Sequence, residues 1–403
     1  MSDTFRSLFS AQRPTGARPL QGDDPAAREV RPDALPGAVI RVLGTGGGGS
    51  NAVARMVQNK VPVVEFIAVN TDVQALYHSP AGKKITIGRG TTRGLGAGAN
   101  TEIGKRAAEE STEEIKAGLE GTDMLFLTAG LGGGTGGGSI SVIAEIARSM
   151  GILTVGVVTK PFSFEGLKRK KQAEDALENL RGKVDTLITI PNDKILSLID
   201  KTTPLTEAFE VVDEVLQHAI EGISSIITQH GLINVDFADV KTIMSDAGTA
   251  LMGIGYGTGD SRAAEAARAA IDSPLLELSI SGAQGILFNI TGGNDLSMFE
   301  VDEAARIITE TAAPEANIIF GAVIDDSFTG QVKCTVIATG FETVEKAVPH
   351  IASPAQRYLS SKQGLRAELP LREEKLQEQQ KPSSQFNEEE LEVPAFMRKP
   401  LSK

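Results

Sequence analysis

The sequence predicts an α/β fold: a mainly parallel sheet with helices on both faces, then a long central helix, then a smaller α/β domain. Two observations carry that prediction. Strand-like apolar runs alternate with helical patterns from residue 37 to about residue 200. A single run of helical apolar spacing follows, and strand-like runs resume after it.

Residues 1–36 are rich in Pro, Arg, Asp and Gly without sustained periodicity, and read as a disordered arm. Strands are expected at "AVIRVL", "VVEFIAV", "KITIG", "DMLFLTA", "LTVGVVT" and "TLITIP", with helices at "SNAVARMVQNK", "TEIGKRAAEESTEEIKAGLE" and "LKRKKQAEDALENLR". These place a first domain over 37–203. The central helix, with an acidic loop after it, covers 204–240. Thr203 suits its N-cap and Pro204 its first position. Ala208, Val212, Val215, Ala219, Ile223, Ile226 and Ile227 recur at helical spacing up to a stop at Gly231. About 27 residues would span roughly 40 Å, enough to join two domains. The second domain is expected over 241–352, from the strands "GILFNITGG", "NIIFGAVIDD" and "VKCTVIATGF" and the helix "MFEVDEAARIITETA". A polar Gln/Glu-rich linker over 353–390 ends in the segment "LEVPAFMRKPLSK", 391–403.

Composition excludes several classes. A net charge of −12 over 403 residues argues against general nucleic-acid binding. Neither a membrane-length apolar run nor a signal-peptide core is present, so a cytoplasmic protein is expected, without direct membrane insertion. One cysteine, Cys334, rules out a disulfide framework within the chain and reads as a buried thiol. Four histidines, scattered and without cysteine companions, make a zinc site improbable.

Chemistry enters with glycine. "TAGLGGGTGGGS" holds seven glycines in the nine positions Gly130–Gly138, between a strand and an amphipathic helix. Bare backbone there lets N–H groups converge on an anion at the positive end of the helix. A second stretch, "LGTGGGGSNAVARM", places Gly44, Gly46 and Gly49 in a G-x-G-x-x-G pattern, with Asp72 following a strand. Alone that fits a dinucleotide fingerprint, so a nicotinamide-dependent dehydrogenase is a rival reading. A third stretch, "GLGAGANTEIG", again precedes a helix. Neither of the first two carries a Walker lysine, so backbone dipoles and a divalent ion, Mg²⁺, must meet the phosphate charge. Three such stretches suit a nucleoside triphosphate better than a dinucleotide.

The motifs in order are "GTGGGGSNAV", "AVNTDVQAL", "GAGAN", "GLGGGTGGGS", "VVTKPFSFEGLKR", "IPNDKIL" and "GLINVDFADV". In this series the chain resembles the FtsZ family of bacterial tubulin-like cell-division GTPases, over about residues 37–350 and again in the C-terminal segment. The resemblance implies that GTP lies across the carboxyl ends of the strands. Its phosphates would rest on Gly132, Gly133, Gly134, Thr135 and Gly136, with Gly47 and Gly48 approaching from the first loop. Ala97, Gly98, Ala99 and Asn100 would come from the third. Gly137 stands where the family signature has Ser or Thr, removing a hydroxyl.

Glu165 and Arg169 match the family's ribose- and phosphate-side contacts; their plain reading is a capping carboxylate and a solvated charge. Asp213 matches the carboxylate that reads guanine by accepting from the ring N1–H and the exocyclic amine. Phe209, one turn earlier, would stack on the base, although on sequence alone it reads as core. Asn51 and Asn192 match the remaining base-edge contacts. Asp236 and Asp239, with Asn234 assisting, would orient the attacking water at the nucleotide of an adjacent subunit; their plain reading is helix capping.

The resemblance thus implies GTP hydrolysis to GDP at the junctions of a head-to-tail homopolymer. It also implies a mid-cell location, and docking of membrane-tethering and regulatory division proteins on 391–403. A non-hydrolysing scaffold of the same fold is a further alternative.

Overall fold

The computed structural model describes residues 37–341 apart from 62, 63, 198, 201, 229–232, 234, 277 and 278. The expected N-terminal arm, linker and C-terminal segment lie outside the described residues, as do Asn234 and the expected helix stop at Gly231.

The first half alternates strand and helix. β1 (Ile40–Thr45), α1 (Gly46–Gln58), β2 (Glu65–Asn70), α2 (Val73–His78) and β3 (Lys83–Thr86) come first. Then follow α3 (Arg89–Thr92), α4 (Thr101–Glu110), α5 (Thr112–Leu119), β4 (Met124–Gly130), α6 (Gly134–Ser149), β5 (Leu153–Lys160), α7 (Leu167–Leu180), β6 (Thr186–Pro191) and α8 (Asn192–Ile195). The long helix α9 (Leu205–Thr228) leads to α10 (Phe237–Met244). The second half comprises β7 (Gly248–Thr258), α11 (Arg262–Ile271), β8 (Gly285–Gly292), α12 (Met298–Thr311), β9 (Asn317–Ile324) and β10 (Gln331–Thr339).

All ten strands form one sheet in the order β3-β2-β1-β4-β5-β6-β7-β10-β8-β9. The first six run parallel, and β7 joins β6 in parallel only over Thr186–Ile188 against Gly248–Ala250. Beyond that, β10 runs antiparallel to both β7 and β8, and β9 runs parallel to β8. Strand order reverses between β1 and β4, so a crevice opens outside their carboxyl ends, where ligands bind in such sheets. Both glycine-rich stretches emerge there.

Strands β1, β4 and β5 read as continuous apolar runs because both their faces are covered. One face packs Val42, Phe126 and Val157 against Met56 of α1 and Val212, Leu216 and Ile220 of α9. The other packs Leu43, Leu125 and Leu127 against Ile115, Ile140, Ile143 and Leu180. The first cluster also contains Met252, Leu287 and Ile337, so α9 is buried against strands of both halves. A third cluster sets the alanines of α11 against β8, β10 and α12. Cys334 is fully buried within it, and burial pushes its thiol up to about 12.

Several elements differ from the sequence reading. Helix α1 begins on the glycines themselves, as does α6, so much of each glycine stretch is the opening of a helix. The pattern expected as one helix over 101–120 breaks at Ser111, whose hydroxyl accepts from Gly88 N (3.0 Å). Helix α9 starts one residue later than expected: the Pro204 carbonyl accepts from Ala208 N (3.0 Å), making Pro204 the cap residue rather than the first helical one. Strand β7 and helix α11 carry no expected counterpart. Gly253, Gly255 and Gly257 explain why. A Cβ at each would fall within about 2 Å of the carbonyl oxygens of Ala270, Ala266 and Arg262 respectively. Alternate glycines let α11 lie directly on the strand backbone, and they dilute the apolar signal a strand normally shows.

Candidate active site

Helices α1 and α6 each begin without a side-chain cap: Thr45 and Gly133, the cap residues, are extended and offer no side-chain bond to the first turn. Their leading N–H groups therefore lack an internal partner and face the crevice. The two glycine stretches touch. A Cβ at Gly46 would lie 2.6 Å from Gly136 N, and one at Gly48 would lie 3.1 Å from Gly130 Cα. Gly47 and Gly133 face open space, with no heavy atom within 4 Å of a Cβ there. Gly132 has φ +95° and backs onto the Arg169 carbonyl at the start of α7.

The third stretch leans on the same turn. A Cβ at Gly134 would come within 2.6 Å of Asn100 N, and Asn100 caps α4 by accepting from Glu102 N (3.0 Å) and Ile103 N (3.4 Å). Gly98 and Ala99 are both left-handed, and the Ala99 carbonyl accepts from Gln172 Nε2 (2.9 Å). Ala97 is buried. The bareness of Gly138 serves helix packing instead, since a Cβ there would meet the Thr101 carbonyl at 2.0 Å. Gly137 likewise faces Ala176 and Thr101 (both 3.4 Å), so a side chain here would enter the space between α4 and α7.

Hydroxyls line the floor. Thr71 and Thr135 share a hydrogen bond of 2.6 Å, and Ser139 links Thr45 to the Thr135 carbonyl, both at 2.7 Å. The buried hydroxyls of Ser50 and Thr128 have no hydrogen-bond partner. Both lie within the quoted glycine-rich stretches, but sequence reasoning assigned them no role.

The other end of the crevice is aromatic and acidic. Phe162 is buried, stacks on Phe164 (5.0 Å) and meets Phe209 edge-on (5.5 Å). Phe209 is 41% exposed, so it stands partly open with Phe162 against its edge rather than in the core. Glu165 accepts from Phe162 N (2.9 Å) and pairs with Arg169, which fits the plain capping reading while leaving Arg169 exposed beside Gly132. Asn192 is buried with Oδ1 unpartnered, and Asn51 is exposed on α1. Asp213 is mostly buried on α9, and burial pushes its carboxyl up to about 6 against the opposing pull of Arg55.

The acidic pair lies elsewhere. Asp236 caps α10, its Oδ1 accepting from Asp239 N (2.9 Å), so the plain capping reading describes the local geometry. From Asp213 to the end of α9 at Thr228 the rise alone is about 22 Å, and the acids follow that end in the chain. Helix α10 closes on the start of β6, where the Met244 carbonyl accepts from Thr186 Oγ1 (2.6 Å). Among the described residues, no group of three His, Cys, Asp or Glu is placed to hold a metal ion. Asp72, the residue a dinucleotide fold would turn to a ribose, instead caps α2, accepting from Gln74 N (2.9 Å) and Ala75 N (3.1 Å).

Two family models match the chain. The Tubulin/FtsZ family GTPase domain matches residues 39–200, and the FtsZ family C-terminal domain matches residues 248–342. Among solved structures, an empty FtsZ dimer from M. jannaschii is similar at 46% identity and a TM-score of 0.72, covering 75% of this chain and 88% of that one. A tryptophan-to-tyrosine mutant of M. jannaschii FtsZ is similar at 47% identity and a TM-score of 0.72, covering 76% and 92%. CetZ2 from Haloferax volcanii, in a GTPγS-bound protofilament, shares the fold at 20% identity and a TM-score of 0.64, covering 76% and 94%.

Proposed function

The chain belongs to the Tubulin/FtsZ family, and from that premise we propose how its residues divide the work of a polymerising GTPase between neighbouring subunits. GTP is the substrate. Its phosphates rest on the opening turns of α1 and α6, through Gly47, Gly48 and Gly132 to Gly136, with Ala97 to Asn100 closing one side. Glu165 and Arg169 hold the ribose and phosphate side, Phe209 carries the base, and Asp213, Asn51 and Asn192 read its edge. Mg²⁺ is carried in by the phosphates, in keeping with an ion that keeps most of its waters and takes few protein ligands. The nicotinamide alternative finds no support in the families matched, and the capping role of Asp72 speaks against it.

One observation carries the division of labour: Asp236 and Asp239 follow in the chain the far end of a helix whose beginning lines the crevice, and their helix α10 closes on the amino end of β6, at the edge of the sheet opposite the crevice. A copy's own acids are therefore remote from its own nucleotide, and a second copy stacked head to tail supplies them. Asp236 and Asp239, with Asn234, orient the water that attacks the γ-phosphate, a reaction that needs mainly positioning and charge stabilisation.

Exposed apolar side chains support such stacking. Leu95, Phe164, Leu167, Leu196 and Leu205 all follow carboxyl ends of strands or open the helices at that edge. A heterologous contact of this kind continues as a filament. In this reading the filament builds a division ring at mid-cell, and residues 391–403 dock the membrane-tethering and regulatory partners.

The test is GTP turnover per monomer against protein concentration, with light scattering alongside. Turnover near zero when dilute and rising with scattering is expected; constant turnover without assembly refutes the shared site. Asp236→Ala should keep GTP binding in the monomer and lose roughly a hundredfold or more in turnover.

A further inference from the structure

We propose that Arg55, which no motif singles out, secures the base selectivity of the crevice by neutralising the charge of Asp213 without occupying the oxygens that the base requires. The inference rests on the guanine reading above. Helices α1 and α9 pack side by side, and Arg55 faces two carboxylates nearly one turn apart on α9, Glu210 and Asp213. Its hydrogen bond goes to Glu210, from Nη2 to Oε1 at 3.2 Å. Toward Asp213 it presents Nε, 3.4 Å from Oδ2, and that buried nitrogen makes no hydrogen bond. A forked guanidinium–carboxylate pair would consume both oxygens. Here the positive charge stands beside Asp213 through one long contact to Oδ2, and Oδ1 lies outside that contact.

The chemistry requires this separation. A carboxylate distinguishes guanine by accepting two N–H donors at once, whereas a protonated carboxyl turns one oxygen into a donor that meets another donor. Burial drives Asp213 toward the protonated form, and Glu210 on the same helix pushes the same way. Arg55 is the cation that opposes both. Without it, two acids nearly one turn apart would share a largely enclosed site with no counter-charge beside them, and Asp213 would take up a proton in the neutral range.

The experiment uses the full chain freed of nucleotide and titrated with GDP and with IDP, whose base lacks the exocyclic amine, between about pH 6 and pH 8.5. The wild type should prefer GDP, with affinity flat above neutral pH. Arg55→Met should lose roughly tenfold in GDP affinity near pH 6.5 and recover it as pH rises, because the carboxylate form returns. Its preference for GDP over IDP should narrow at the acidic end. Arg55→Lys should keep the wild-type profile, and Arg55→Gln replaces Arg55→Met should the latter fail to fold.

Tighter GDP binding by Arg55→Met would mean that Arg55 competes with the base, and a pH-independent loss would mean a packing contact; either overturns the proposal. Asp213→Asn separates the two levels of inference. If it loses GDP preference at every pH while Arg55→Met behaves as wild type, the guanine reading stands and the Arg55 role falls. If Asp213→Asn binds both nucleotides as the wild type does, the guanine reading falls and takes the Arg55 role with it.

Discussion

Gly47 and Gly138 both lie in the opening turns of helices, yet their surroundings differ in kind. Nothing stands within 4 Å of a Cβ at Gly47, whereas one at Gly138 would sit 2.0 Å from the Thr101 carbonyl. Helical glycine costs roughly 1 kcal/mol against alanine, so the fold itself gives no reason to keep Gly47 bare. Gly47→Ala should therefore raise stability by about 0.5–1 kcal/mol while weakening GDP binding at least tenfold, by holding the phosphates off the helix end. Gly138→Ala should instead destabilise by roughly 1–3 kcal/mol, because α4 must move. Thermal unfolding and nucleotide titration on the two variants check both statements; a Gly47→Ala protein that binds GDP normally would remove Gly47 from the phosphate cradle. The glycine stretch reads in sequence as a phosphate device. Which of its glycines serve packing is not legible there, because the deciding neighbour is the backbone of α4 at Thr101, 37 residues upstream of Gly138. Ser50, Thr128 and Arg55 were hidden for a related reason: their placement depends on helix and strand partners remote in the chain.

At the level of elements, legibility followed apolar periodicity. Helix α9 was readable because Val212, Val215, Ala219, Ile223 and Ile226 repeat at helical spacing and are buried. Its start was not, since the choice between Thr203 and Pro204 as the cap depends on which carbonyl meets Ala208 N. Strand β7 escaped notice for the opposite reason: its pattern carries glycine where an apolar side chain would ordinarily face the core. That substitution is structural. Through Gly253, Gly255 and Gly257 the strand admits α11 at backbone distance, and the same strand pairs with both β6 and β10, so it links the parallel and mixed parts of the sheet. Gly255→Ala should cost roughly 2–3 kcal/mol, since its Cβ would meet the Ala266 carbonyl at 2.1 Å and neither backbone can yield alone. Urea unfolding should show the loss as a lower midpoint at unchanged slope. A wild-type midpoint would mean that α11 adjusts freely and does not depend on the glycine face.

For the whole molecule, the proposed division of labour makes the length of α9 an assembly rule. The helix begins at the crevice with Phe209 and Asp213 and ends more than about 20 Å on, just before the acidic pair. In that proposal a spacer of that length, buried against both halves of the sheet, keeps a copy from completing its own site by local motion. The two half-sites are then separable by mutation. Take Asp213→Ala, defective in the crevice, and Asp236→Ala, defective in the acidic loop. Each alone should hydrolyse GTP poorly at any concentration. Mixed in equal amounts above the assembly threshold, random head-to-tail stacking joins an intact crevice to an intact acidic pair at roughly a quarter of the junctions. The mixture should accordingly recover up to about that fraction of wild-type turnover, and the recovery should vanish on dilution as scattering falls. A site contained within one copy yields only the mean of the two weak activities, at every concentration. That mean, found above the assembly threshold with both variants folded and assembling, would place the acids within reach of their own nucleotide, contrary to the length of α9.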